Sequence, residues 1–228
     1  MKHKVTALKV QKRNPNRVNV YLDGEFAFGA ARIVAAWLQV GQELDDEQIA
    51  QLNAKDSDEV AFQKALHFAG YRPRTEAEVQ KKLEDEGVSA ENIAQIILRL
   101  REDGYLNDLR FAQGWVESRS NFRPRSHRLM AMEMKQRGLD EAAIEQALEK
   151  SADDEELAYQ AGYRKARQLT QADHEIFRNR LTQFLARRGF SYGVIAPTVQ
   201  RLWQEVRLST SPLTNDMDEL KEDESWTP

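Results

Sequence analysis

The sequence has no cysteine, only 11 glycines and 6 prolines in 228 residues, and no long apolar run. Without cysteine there is no disulfide, no thiolate metal site and no thiol nucleophile, a composition that fits the reducing cytoplasm. The longest apolar candidate, Phe26 to Val40, carries Arg32 and falls short of the roughly 20 residues that a membrane span needs. The opening MKHKVTALKV alternates charged and apolar residues, so it lacks the apolar core of a signal peptide. Little glycine and proline beside a charged fraction of 31% points to a helix-rich soluble chain. Its length allows one or two domains, or a repeat array, with a sizeable core.

Motifs for chemistry are also missing. There is no G-x-x-x-x-G-K, no G-x-G-x-x-G and no G-x-S-x-G, which removes the P-loop, the dinucleotide fingerprint and the nucleophile elbow. The four histidines, His3, His67, His127 and His174, stand far apart and outside any metal-ligand spacing. A non-enzyme without cofactor or metal is expected.

What the chain does have is unevenly placed charge. The formal net charge is -4, yet residues 208–228 hold six acids against Lys221. Residues 1–17 carry six bases and no acid. Residues 119–137 carry six against Glu133, and residues 164–188 carry seven against Asp173 and Glu175. An acidic block, 140–156, separates the last two. Any one block reads as a solvated helix face, but three basic ones, the later two rich in arginine, point to an anionic partner.

The first 28 residues read as strands. Lys4–Gln11 and Val18–Leu22 alternate, Asn14-Pro15-Asn16 is turn chemistry, and Asp23-Gly24 suits the positive-φ positions of a type I′ hairpin. A β-hairpin or three-stranded sheet is expected, covered by a short helix at Ile33–Leu38, with a second short helix from Asp45.

From about Asp58 onward the pattern is helical and repeats. Gly87, Gly138 and Gly189 are spaced by 51 residues. Leu83, Met134 and Leu185 stand four before each, and Val79, Met130 and Leu181 eight before. Ile93, Ile144 and Ile195 stand six after, and Ile97, Leu148 and Val199 ten after. Tyr71-Arg72-Pro73-Arg74-Thr75 matches Phe122-Arg123-Pro124-Arg125-Ser126 in the same register, with proline ending one helix and Thr or Ser capping the next. Each repeat reads as three helices, with the glycine in the left-handed conformation past the end of the middle one. The expected fold is mainly α: three tandem three-helix repeats in an elongated, curved array. The boundaries read 1–56 for the sheet and short helices, 57–107, 108–153 and 154–207 for the repeats, and 208–228 for a disordered acidic tail.

Arg72, Arg74, Arg123 and Arg125 flank prolines at helix starts, a setting suited to phosphate or carboxylate. Singly, each reads equally as a cap or ion-pair partner; their recurrence points to a shared binding face. Phe62, Phe68, Phe111, Trp115, Phe184 and Trp203 fall on apolar helical faces and are expected in the core.

Gly104 to Arg119 reads GYLNDLRFAQGWVESR, and RRGFSYGVI stands near the end. With the tandem three-helix pattern, residues 58–206 closely resemble the RecX family of bacterial regulatory proteins, and the hairpin region resembles the extension of longer members. The acidic tail has no counterpart in that resemblance. The resemblance implies a cytoplasmic DNA-repair regulator that binds the RecA recombinase filament on single-stranded DNA. It would restrain filament extension, ATP hydrolysis and strand exchange. On that reading Arg72, Arg74, Arg119, Arg123, Arg125 and Arg128 line the contact face, Arg187 and Arg188 extend it, and Leu106 and Phe111 are core. Polar outer faces suit a monomer. The alternative is a helical regulator that binds DNA or RNA directly, since three-helix units resemble helix-turn-helix domains; a scaffold for another protein is a third.

Overall fold

The computed structural model describes residues 1–210. Strands β1 (Lys2–Gln11), β2 (Asn14–Leu22) and β3 (Glu25–Ala31) run antiparallel as successive hairpins. Asp23 and Gly24 form the second turn with φ of 52° and 94°, as a type I′ turn demands. The Asp23 carboxylate accepts the Lys4 N–H at 2.9 Å and lies 2.8 Å from the His3 ring. Those two bonds hold its pKa below the ordinary value.

After the short helix α1 (Arg32–Ala35), strand β4 (Glu43–Asp45) pairs with Lys2–Lys4. The sheet therefore has four strands, ordered β3-β2-β1-β4, and not three. Three residues are too few to display alternation, so β4 left no period-two signal. The sheet buries Val5, Val18, Val20, Leu22, Ala30 and Leu44 with Ala35 and Leu38.

Asp45 opens α2 (Asp46–Tyr71) with a capping box: it accepts the Gln48 N–H, and the Gln48 side chain accepts the Asp45 N–H. The short helix expected from Asp45 and the helical pattern that begins near Asp58 thus form one helix, because no proline or glycine interrupts residues 46–69. Its two halves serve different cores. Ile49 and Leu52 pack on the sheet, while Ala61, Phe62, Ala65 and Ala69 pack on the first repeat. Between them Asp56 accepts the Ala31 N–H at 2.6 Å and Arg17 Nη2 at 2.8 Å, fastening the helix to the sheet edge.

The remaining helices are α3 (Glu76–Asp85), α4 (Ala90–Glu102), α5 (Asp108–Phe122), α6 (His127–Lys135), α7 (Glu141–Leu148), α8 (Asp154–Ala166), α9 (His174–Ala186) and α10 (Tyr192–Thr210). The chain is mainly helical, with a middle helix (α3, α6, α9) preceding each repeat glycine. The residues four before, eight before and six after each glycine are buried in all three repeats. Ten after, only Val199 is buried. The buried residue of the first two repeats lies one position earlier, at Ile96 and Ala147. Residues 211–228, most of the expected tail, lie outside the described residues.

By contact density the chain forms two compact units: residues 1–112 with 135–144, and residues 113–134 with 145 onward. Each contains one instance of the same joint. Gly87, Gly138 and Gly189 have φ of 77°, 81° and 89°. The Gly189 N–H donates to Ala186 O and the Phe190 N–H to Leu185 O, and Gly87 and Val88 bond likewise to Glu84 and Leu83, which is the Schellman pattern. In the first unit the buried Thr75 hydroxyl caps α3 by accepting the Glu78 N–H and donates to Arg137 O at 2.7 Å, one residue before Gly138. In the second, the Ser126 hydroxyl accepts the Leu129 N–H, while the Ser126 N–H donates to Arg188 O at 3.0 Å, one residue before Gly189. The end of one middle helix thus sits on the start of the preceding one. A Cβ on Gly138 would collide with Ala77 Cβ, and one on Gly189 would stand 2.6 Å from Ser126 Oγ and 2.7 Å from Leu129 Cβ; on Gly87 it would meet nothing.

An aspartate reinforces each joint. Asp108 accepts the Glu76 N–H at 3.0 Å, and Asp154 accepts the His127 N–H at 2.8 Å. Burial raises the Asp108 pKa, and Glu76 and Asp140 push the same way against the bond from Glu76 N–H.

Alanine at the three glycines should therefore separate two effects. Gly87→Ala should cost ~1–2 kcal/mol from left-handed backbone strain. Gly138→Ala and Gly189→Ala should lose a further ~1–3 kcal/mol from overpacking. Urea unfolding that ranks all three alike would contradict the joint. For Asp108, a raised folded pKa means that the folded state holds the proton more readily. Its contribution improves as pH falls through that value toward 3.8 and is lost as pH rises. Asp108→Asn, which keeps the acceptor oxygen, should stabilise the protein at pH 7 and flatten the stability–pH curve in that window.

Candidate functional site

The eight arginines singled out from the sequence fall into two environments. Arg72 and Arg74 belong to the first unit; Arg119, Arg123, Arg125, Arg128, Arg187 and Arg188 belong to the second.

In the first unit, Arg72 is exposed. Arg74 is turned inward, with its guanidinium 3.9 Å above the Phe68 ring and 3.7 Å from Glu78. Glu78 also accepts Arg137 Nη1 at 2.6 Å, so one carboxylate faces both arginines of that joint.

The second joint differs at one decisive position. In the 51-residue register Arg125 stands for Arg74 and Arg188 for Arg137, but Leu129 stands for Glu78. The carboxylate between the arginines is gone. Arg188 donates instead to Pro124 O at 2.9 Å and lies 4.5 Å above the Phe184 ring. Arg125 turns to Glu133, which also accepts Arg119 Nε and Trp115 Nε1, each at 3.1 Å. Burial and like charge depress the pKa values of both guanidinium groups: Arg119 and Arg123 act on Arg125, and Arg125 and Arg123 act on Arg188. Arg119 and Arg125 thus share Glu133, Arg123 and Arg188 pair with no carboxylate among the described residues, and positive charge is left over. Arg123, Arg128 and Arg187 are exposed, with no ion-pair partner among the described residues.

Beside this excess charge opens a cleft of about 580 Å³. The end of α5 and the following turn supply Asn121, Phe122 and Pro124. Helix α8 supplies Tyr159, Tyr163, Arg164 and Lys165, and the end of α9 supplies Phe184, Arg187 and Arg188. None of its lining residues is acidic. Phe122 is 74% exposed and Tyr163 42%. Tyr159 is held from outside, its hydroxyl donating to Glu205 at 2.8 Å under Arg201. Exposed rings among unneutralised cations suit a ligand with both phosphates and planar faces.

Arg164, Lys165, Tyr163 and Phe122 were not picked out from the sequence. The first two stood inside a counted basic block, and the missing carboxylate at Leu129 could have been read from the repeat register. The expectation that the aromatics are core holds fully only for Phe62, which is 4% exposed. Phe68, Phe111, Trp115, Phe184 and Trp203 are half-buried. Arginines cover Phe68, Trp115, Phe184 and Trp203, since a guanidinium can lie flat on a ring at a helix surface. Of the signature stretch, Leu106 and Ala112 are buried, Asp108 holds the α3 start, and Asn107 caps α5 by accepting the Arg110 N–H.

Glu133, half-buried among three donors, should matter to stability more than any exposed arginine. Glu133→Ala should cost ~3–5 kcal/mol by stranding buried charge, and Arg128→Ala within about 0.5 kcal/mol. Urea midpoints of the two variants measure the difference.

Comparison with known proteins covers the same regions. Residues 3–45 match the regulatory protein RecX N-terminal domain. Residues 61–100, 107–148 and 153–197 match the first, second and third three-helix domains of RecX. Regulatory protein RecX of Oceanobacillus iheyensis is 31% identical over 208 residues, covering 87% of this chain and 76% of the relative. That of Bacillus subtilis is 30% identical over 207 residues, covering 88% and 78%. A crystal structure of regulatory protein RecX aligns with a TM-score of 0.70 at 28% identity, over 84% of this chain and 96% of its own. RecX from Lactobacillus salivarius aligns at 0.58 and 25%, over 66% and 99%. Among the described residues no helix is long and apolar enough to cross a membrane.

Proposed function

The chain belongs to the RecX family of regulatory proteins, and from that premise we propose that it regulates a RecA recombinase, without chemistry of its own. On this reading it binds the RecA–single-stranded DNA filament as a cytoplasmic monomer and restrains ATP hydrolysis, filament extension and strand exchange in DNA repair. The observation that carries it is the second joint, where Leu129 stands in place of the glutamate, Arg119 and Arg125 share the one carboxylate, and Arg123, Arg187 and Arg188 are left without one beside an acid-free aromatic cleft. A protein surface alone would not call for such an arrangement; a sugar–phosphate backbone with exposed bases does. Arg123, Arg128 and Arg187 then meet the filament directly, together with Arg72 of the first unit. Arg74, Arg119, Arg125 and Arg188, anchored on rings and internal acceptors, act mainly through their field. The repeat boundaries at 57–107, 108–153 and 154–207 belong to the same proposal.

The cleft also favours a second reading, a regulator that binds DNA or RNA without a recombinase. Salt and stoichiometry separate the two. Direct binding weakens steeply with salt in proportion to the phosphates contacted, whereas filament regulation acts substoichiometrically and only with the recombinase present.

The test is the DNA-dependent ATPase of the cognate RecA titrated with this protein. Arg123→Ala/Arg187→Ala should retain wild-type helicity and need ~30-fold more protein for half-inhibition, as expected for two lost charge-assisted contacts of ~1 kcal/mol net each. Equal inhibition at matched concentrations would remove these residues from the contact.

A further inference from the structure

The second unit's cleft differs by charge from three others among the described residues. A cleft between the sheet side and α4 includes Asp58 and Glu59 in its lining, a second near β2 includes Glu59, and a third on α3 and α4 includes Glu76 and Glu84. The cleft on α8 and α9 presents Arg164, Lys165, Arg187 and Arg188 and no acid. The chain itself contains the complement. Between Asp216 and Glu224 stand six acids and one lysine, followed by Trp226. This segment follows α10, which packs on both α8 and α9, the helices that line the cleft. The 18 residues after Thr210 reach up to ~60 Å when extended, about twice the length of α10, ~29 Å at 1.5 Å per residue. Reach does not limit the contact.

We propose that the acidic segment 216–224 docks in this cleft as its intramolecular occupant and competes there with anionic ligands, an inference that rests on the cleft being the nucleic-acid contact. Two physical features make the competition gradual. Covalent linkage through a few residues gives an effective concentration in the millimolar range, so a weakly attracted peptide still occupies the site. The pairing is open to solvent and weakens as the Debye length shrinks toward ~3 Å at 1 M salt. A long polyanion such as single-stranded DNA displaces the segment; short anions do not. The tail therefore sets a threshold for DNA length and salt.

Two measurements on the full chain test this. The first is zero-length carbodiimide coupling, mapped by mass spectrometry. Lys165 is the one lysine lining the cleft, and it should couple to the carboxylates of residues 216–224 at low salt, but not at 0.5 M salt (about a fivefold rise over 0.1 M) and not in Lys165→Arg. The second compares oligothymidylate binding by the wild type and by a tail-neutralised chain carrying Asp216→Asn, Asp218→Asn, Glu219→Gln, Glu222→Gln, Asp223→Asn and Glu224→Gln. The neutralised chain should bind ~10-fold more tightly at low salt, with the difference vanishing at high salt. Equal binding by both chains without the Lys165 product overturns the docking and leaves the nucleic-acid reading standing. The Lys165 product with equal binding overturns the competition. The product with no oligothymidylate binding by either chain upholds the docking and overturns the nucleic-acid reading of the cleft.

Discussion

The helical region depends on a helix end that has no room for a side chain. Gly138 and Gly189 each close a middle helix in the left-handed conformation, and each is pressed against the start of the preceding middle helix. The same few atoms serve both partners. A buried Thr or Ser caps its own helix and also bonds the carbonyl just before the next repeat's glycine. An aspartate at the start of the next repeat's first helix takes one more N–H of the same first turn. Helix starts leave N–H groups and helix ends leave carbonyls without partners; setting one on the other satisfies both while burying them. Gly87 keeps the conformation without the contact, because its Cβ would point into open space.

The proposed function rests on a departure from that shared joint. The first joint places Glu78 between two arginines, so that both face a carboxylate. The second places Leu129 there, and the guanidinium groups that remain turn to rings, carbonyls and the shared Glu133. Burying guanidinium groups beside like charges is costly for folding, and the depressed pKa values of Arg125 and Arg188, due first to burial and then to neighbouring arginines, express that cost. In the proposed function a ligand that brings phosphate would relieve that cost, so the frustration left by one substitution would also favour binding.

Much of this was legible in the sequence because it is periodic. Glycines every 51 residues, with apolar positions four and eight before and six after, fix helices, their ends and their buried faces by backbone conformation and burial alone. The Asp23-Gly24 turn was legible for the same reason, since few residues tolerate positive φ. Strand β4 and the continuity of α2 were not. A three-residue strand has no period, and a helix that serves two cores switches faces partway, which blurs its amphipathic pattern. The basic blocks were equally visible, but a block says nothing about where each side chain turns.

The sequence by itself determined the repeat, the helix ends and the sign of charge along the chain, because these follow from local conformational preference and spacing. Only the tertiary structure decided which arginines are bound within the protein and which face solvent. Pairing depends on residues distant in sequence, as Arg137 with Glu78 and Arg188 with Pro124 show. It alone brought Phe122, Tyr163 and Arg187 to one cleft. The mild net acidity of the composition therefore conceals a cationic site, since attraction depends on where unpaired charges gather in space and not on their sum along the chain.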